Sequence, residues 1–557
     1  MPSPRTVLRA PLLWLLAPAM AGIAIGQSWP CSPRVAGGVA AGSAGLAGIA
    51  LVFSRRESIF ATVTTLLALA GASLGIGYGW QRWRAPPPFE PLPAPREATL
   101  DVRVLRRFAS EPIRRSVGGM GLIESADPPL IRLAGQRVYF SVTKKRGPEP
   151  LVSGAYRLRG VIQDVVIESP QDGFHQMLIA QGVFLELRRG LVLRAIHPPS
   201  RTTRWVNRAR NAIERILAVG IARHPVEAAL ERAMFLGEHA AMTEEQRTAF
   251  QRSGTFHVFV VAGLHVGVVA TTILSALSLA RLPKGIALIT GLAAIAAYVE
   301  LTGAGLPAQR TFIMLACLQC SRSFRLPGNS LAALVLAASI TLVIDPQELF
   351  NPGFQMSYAV VTALVVMGTP LLRRWEIAWR PWSSLPRADW GWLRIAIRDL
   401  GRKVLHGAAT ASVALLASAP CMIGSFGVLS LGSVLANLVV VPLAALSVTA
   451  GFWSSLCGLA SGELVSGLFN RAAVLTIKTM VALVALGSRV PVASVSAEFR
   501  QPWMAPAATV AVVSAMLAGA SLRWRRSAGG FWLPVAVFVL VLLFGVKFGG
   551  NGAIVRR

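Results

Sequence analysis

Gly254-Thr255-Phe256-His257-Val258-Phe259-Val260-Val261-Ala262-Gly263-Leu264-His265-Val266-Gly267 opens an apolar run that continues to Ala280. A run of that length approaches the ~20 residues that cross ~30 Å of hydrocarbon. Ionisable groups at membrane depth are costly, and they usually face a protein interior or a water-filled path. On a continuous helix, eight residues turn by about 80° net at roughly 100° per residue. That spacing predicts His257 and His265 on one half of a helix, two turns apart. Two neutral histidines bonded between helices would satisfy the same spacing.

The surrounding chain agrees with a membrane setting. It is 54% hydrophobic and 15% charged, with a mean hydropathy of +0.55. Such values exclude an array of soluble domains and describe a polytopic membrane protein. Spans are expected near residues 10–26, 35–53 and 59–79. Further ones are expected near 256–280, 284–301, 307–322, 328–344, 352–372, 405–426, 431–456, 465–487, 503–520 and 531–549. About 11–13 transmembrane helices follow. The first span follows Arg5 and Arg9 and resembles a signal h-region, but apolar spans come directly after it, so an uncleaved span is expected. Arg281, Lys284, Arg322, Arg325 and the basic stretch 373–403 fall in alternate loops, and Asp345 and Glu348 in an opposite one. Cytoplasmic loops collect Lys and Arg, so that alternation orients the chain through the eighth span. The net charge of +29 fits this bias, and it fits a polyanionic partner.

Between the two membrane blocks the character changes. Ala85-Pro-Pro-Pro-Phe-Glu-Pro-Leu-Pro-Ala-Pro95 reads as a stiff extended spacer. Short β-type runs follow at 100–105, 136–142, 155–162 and 182–188, separated by polar and Gly/Pro stretches. A small closed barrel is the economical packing, because closure removes exposed edges. Arg106 and Arg107, and Lys144, Lys145 and Arg146, form its local basic clusters, which are candidates for a nucleic-acid-binding groove. A solvated basic surface is the alternative reading of the same charges. Residues 201–219 form an amphipathic pattern with Arg201, Arg204, Arg208 and Arg215 opposite Trp205, Ile213 and Leu217. It suits a bilayer surface or the barrel wall equally.

The boundaries expected are 1–84 (three-helix membrane segment), 85–200 (β domain), 201–253 (connecting helices), 254–549 (main membrane domain) and 550–557 (tail). The cysteines 31, 317, 320, 421 and 457 lie mostly in apolar spans and read as small hydrophobes, Cys317-x-x-Cys320 included. No metal ligand set and no cofactor motif is expected, and no phosphate-loop motif offers a source of energy.

Five spaced elements resemble one family, the ComEC-type competence proteins. They are Leu236-Gly237-Glu238 with the approach to Arg252; Gly254-x-x-His257 with Gly263-Leu264-His265; Tyr298-x-x-Leu301-Thr302-Gly303-x-x-x-Pro307-x-x-Arg310; Asn351-Pro352-Gly353-Phe354-Gln355-Met356-Ser357-Tyr358; and Phe426-x-x-Leu429-Ser430 with Asn437-Leu438 and Pro442. They stand in the family's order across residues 230–445. The resemblance implies a multi-pass inner-membrane channel for single-stranded DNA with an OB-like extracytoplasmic domain. It also implies a cytoplasmic helicase-like motor and extracytoplasmic DNA-receptor proteins as partners. The motif and channel-lining candidates are Gly254, His257, Gly263, Leu264, His265, Thr302, Gly303, Pro307, Arg310, Phe354, Gln355, Ser357, Asn437 and Pro442. Polar residues within spans often mark pathways. Many such proteins carry a metallo-β-lactamase-like nuclease domain with a His-x-His-x-Asp-His cluster. None of the seven histidines has that spacing, so the nuclease is expected to be absent and the chain to be no enzyme. The family's extracellular cysteine pair is missing too. A membrane-embedded hydrolase lacks its His-Glu-x-x-His or Gly-x-Ser-x-Gly signature here. A small-anion transporter lacks the internal repeats it would show.

Overall fold

The computed structural model describes residues 10–549 apart from 11, 30–31, 33, 36, 39–40, 43–44, 46–58, 85–90, 109–115, 129, 144–146, 167–174, 176–177, 180, 238–245, 247, 251–252, 260–262, 325–328, 380, 383–389, 461, 488–493 and 525–529. The protein is a multi-pass membrane protein with an inserted β-barrel. Among the described residues, six helices are long and apolar enough to cross a membrane, and four shorter apolar helices accompany them.

The chain opens with α1 (Leu13–Ser28) and α2 (Ile59–Arg84). The expected span at 35–53 falls largely outside the described residues. α1 and α2 pack in parallel and very closely. A Cβ on Gly22 would stand 1.9 Å from the Leu74 carbonyl oxygen, and one on Gly77 2.2 Å from that of Ala19. Small residues allow such backbone approach where burial of apolar surface drives nothing.

The barrel closes in the order β1-β2-β3-β5-β4, from β1 (Arg96–Arg107), β2 (Ser116–Ala126), β3 (Arg137–Thr143), β4 (Ala155–Asp164) and β5 (Val183–His197). The β3–β5 pair is parallel and the others antiparallel. Leu100, Ile123, Val138, Phe140, Leu158, Ile162, Leu185 and Leu187 fill its core. Four of these strands match the expected runs; β2 does not. Its Gly118-Gly119-Met120-Gly121 reads as a loop, since glycine weakens a strand interior. In the barrel no side chain fits there. A Cβ on Gly119 would meet the Phe140 ring at 2.5 Å, and one on Gly121 would meet Val102 at 2.2 Å.

Two helices, α3 (Arg201–Leu217) and α4 (Pro225–Leu236), lead into the main block. The Ser200 side chain caps α3 by accepting from Thr203 N–H, and Ser200 N–H donates to Ser153 of the barrel. α3 packs against helices of the membrane block and touches the barrel at its start. Ile213 and Leu217 are buried in the largest core, while Trp205 stays 74% exposed.

After a 3-10 turn (Phe256–Phe259) come α5 (Gly263–Leu279), α6 (Lys284–Leu301), α7 (Leu306–Ser323) and α8 (Ser330–Ile344). A second 3-10 turn (Pro346–Phe350) precedes α9 (Pro352–Ala378), which carries one π turn at Leu364–Gly368. Then follow α10 (Trp392–Phe426), β6 (Val428–Leu429), α11 (Ser433–Leu459), α12 (Glu463–Gly487), β7 (Val495–Phe499), α13 (Met504–Ser521), α14 (Trp532–Gly545) and β8 (Val546–Gly549). Each span expected downstream of residue 255 has its helix. Strands β6, β7 and β8 form one small sheet. It holds the end of α10, the start of α13 and the end of α14 on one side of the block.

Candidate functional site

Helices α5, α7, α9, α10 and α11 each pack on the next, and α11 returns to α5. The five close a ring. Helices opposite one another in the ring share at most isolated contacts. Four of the five family-like elements place residues on this ring; the first lies at the end of α4, and Tyr298 and Leu301 of the third lie on α6.

The stretch that opened the sequence reading bends where a straight helix was expected. Gly254 adopts φ +69°, and a Cβ there would stand 2.7 Å from Ser430 Oγ. Ser433 Oγ in turn donates to the Ser430 carbonyl. His257 lies on the separate 3-10 turn, exposed, with Nδ1 donating to the Gly254 carbonyl at 3.1 Å. His265 lies one turn into α5 and is fully buried, its ring bonded to the Val258 backbone. The pair does not share one helix: His257 lies on the 3-10 turn ending at Phe259 and His265 on α5, which begins at Gly263. Gly263, Gly267 and Thr271 form a more open face of α5, with no atom within 4 Å of a Cβ on Gly267. Leu264 packs on the large core.

A second knot gathers the next two elements. Thr302 ends α6 with Oγ1 donating to the Val299 carbonyl at 2.8 Å. Gly303 turns at φ +82°, and Arg210 of α3 donates to the neighbouring Leu301 carbonyl at 3.2 Å. Pro307 sits in the first turn of α7, where its missing N–H costs nothing. Arg310, 2% exposed, donates from Nη1 to Glu348 Oε2 at 3.0 Å, and Glu348 is 6% exposed. Asn351 Nδ2 donates to the other Glu348 oxygen at 3.2 Å, and Asn351 Oδ1 caps α9 by accepting from Gly353 N–H. Arg106 of the barrel sits within electrostatic reach of this pair and lies over the Phe108 ring at 5.5 Å. The knot thus marks the barrel side of the ring.

Ser357 shares the α9 face of Gly353, one turn on, and that face is turned toward Arg310 of α7. Gln355 points the other way. Its Nε2 donates to the Leu349 carbonyl at 3.0 Å, and its Oε1 faces Cys421 of α10 at 3.9 Å. Gln355 thus ties the 3-10 turn to the α9–α10 seam. Phe354 is 2% exposed and packs on Tyr358, also buried. Asn437 on α11 has Oδ1 buried with no hydrogen-bond partner among the described residues, while Pro442 lies inside α11 and exposed.

On the barrel, Arg107 pairs with Glu149 at 2.5 Å. A cleft lined by Val117, Thr143, Gly147, Pro150 and Val192 opens beside it. Lys144, Lys145 and Arg146 adjoin that cleft in sequence and lie outside the described residues. No cluster of metal-binding side chains occurs among the described residues. Sequence reasoning missed Glu348 as a partner for Arg310 and Arg210 as a brace for Gly303. Both pairings are long-range and leave no local signal.

The competence protein family model matches residues 234–526. The chain belongs to the competence protein family. Among curated proteins it is 28% identical to ComE operon protein 3 of Bacillus subtilis (strain 168) over 142 residues, 26% of this chain and 18% of that one. It is 32% identical to Competence protein ComA of Neisseria gonorrhoeae over 147 residues, 24% of this chain and 21% of that one. The matched stretches thus cover about a fifth of each of these competence proteins. No solved structure matches. The family match begins inside α4 and ends just past α13, so it contains the whole ring and leaves out the barrel.

Proposed function

We propose that the ring conducts single-stranded DNA through the cytoplasmic (inner) membrane during DNA uptake. The carrying observation is that four of the five family-like elements place residues on one closed ring of helices whose barrel-side rim is polar. The barrel supports the reading from outside the membrane. Its 1-2-3-5-4 closure with one parallel pair suits an OB-like domain, a scaffold on which basic grooves and aromatic faces bind single strands without sequence preference. Sequence-independent conduction needs backbone attraction and no tight base readout, and the excess of Lys and Arg supplies the attraction. The chain acts as a channel rather than an enzyme. A cytoplasmic helicase-like motor supplies the work, and extracytoplasmic receptors deliver the DNA.

The experiment is deletion of the gene with measurement of labelled DNA inside and outside the membrane. Surface binding should persist while internalisation falls to background. Unchanged internalisation, with altered peptide cleavage or anion flux, would overturn the reading. Complementation with Ser357→Trp should leave uptake low at normal protein level, because the bulk would stand on the ring-side face of α9.

A further inference from the structure

Glu231 sits in the second turn of α4, 1% exposed, and neither carboxylate oxygen has a hydrogen-bond partner among the described residues. It lies against α11 at Gly451. A Cβ there would stand 3.5 Å from Glu231 Oε1 and 3.3 Å from the Phe235 ring. One turn away on the same face of α11, Ser447 is 2% exposed, and its Oγ likewise has no partner among the described residues. A carboxylate in such a place would be a bare buried charge, which proteins avoid by neutralising the group.

We propose that Glu231 is a proton-binding site of the membrane block. It holds its proton while α4 is seated on α11 and releases it when the two separate. The step is a simple ionisation: the carboxylic O–H gives its proton to water and the carboxylate keeps the electron pair.

The surroundings fit a neutral acid. Arg232, the next residue on α4, is the charged group that acts on Glu231. α11 brings serines and glycine to the contact, with Cys457 as its one thiol. α12 carries Glu463, Arg471 and Lys478, all exposed, the 3-10 turn His257, and α6 Tyr298, whose hydroxyl donates to the Phe235 carbonyl at 3.0 Å. On α3, Arg210 and Glu214 pair with each other at 3.2 Å. Burial pushes the Glu231 carboxyl well above the usual carboxylate range, and Arg232 opposes that push in part. α4 joins α3, which touches the barrel, to α11 of the ring. The inference does not depend on what the ring conducts.

The test uses the full chain in lipid nanodiscs. Infrared spectra through a pH titration should show a protonated carboxylic C=O band near neutral pH. The band should vanish only at alkaline pH, be missing in Glu231→Gln, and survive in Glu227→Gln. A wild-type spectrum without that band, or one that titrates at ordinary carboxylate pH, overturns the proposal. Melting provides the second readout. A raised folded pKa gives stability that is full below the unfolded value of 4.5 and lost as pH rises through the folded value. Wild type should therefore melt progressively earlier as pH rises, and Glu231→Gln should hold a flat profile. Parallel profiles for the two proteins sink the proposal.

Discussion

Taking Arg310 and Glu348 out of water costs several kcal/mol per ion, so the pair holds only while each satisfies the other. Arg310→Ala leaves the Glu348 carboxylate buried beside Asn351 alone. Its expected cost is about 3–5 kcal/mol, read as a large fall in melting temperature of the solubilised protein. The double variant Arg310→Met with Glu348→Leu removes both charges and should recover most of that loss. A double variant no better than the single would show that neighbours, Arg106 among them, depend on the charges themselves. Gly254 is a second residue whose chemistry is forced. At φ +69° with Ser430 2.7 Å from any added Cβ, Gly254→Val meets strain and collision together. Positive φ alone costs on the order of 1–3 kcal/mol for other residues. Lower melting temperature and reduced DNA uptake are expected, and a fully active Gly254→Val would refute the fixed bend.

At the scale of elements, glycine decides where backbones touch. Gly22 of α1 stands where a Cβ would fall 1.9 Å from the Leu74 backbone, whereas Gly71 on α2 has nothing within 4 Å of such an atom. Gly22→Leu should separate α1 from α2 and raise protease sensitivity. Gly71→Leu should leave both unchanged. Equal effects would mean that the close parallel contact does not stabilise the pair. The same residue type explains what the sequence hid. Spans were legible because apolar runs of membrane length have one plain reading, and four strands because their alternation is local. β2 was not legible, since its glycines answer to Phe140 and Val102 on other strands. The histidine pair was misread because a 3.6-residue period assumes one unbroken helix, whereas His257 lies on a 3-10 turn that ends at Phe259 and His265 on a helix that begins at Gly263. Arg310 was named from its motif, but the sequence offered Glu348 only as an acidic loop residue 38 positions away. The barrel cations divide likewise: Arg107 is bound to Glu149, and Arg106 is drawn to the membrane-side knot.

For the whole molecule, the closed ring makes a claim that no single contact carries. Five helices closed in a ring of contacts must leave between them a space that water reaches if a charged strand is to pass. Ser357 is the position that tests it, because it shares the α9 face of Gly353, across from Arg310. Leu475 on α12 is the control, at 67% exposure on an apolar helix, where lipid would cover it. In a chain whose five native cysteines are replaced, Ser357→Cys should react with a membrane-impermeant thiol reagent and Leu475→Cys should not. A single-stranded oligonucleotide engaged in uptake should slow labelling at 357 by about tenfold or more, since a bound strand excludes reagent from its own path, and that slowing should weaken as salt rises. Ser357→Cys inert in both conditions would mean a dry seam in place of a conduit. Ser357→Cys reactive but indifferent to DNA would mean a wet cavity serving some other solute.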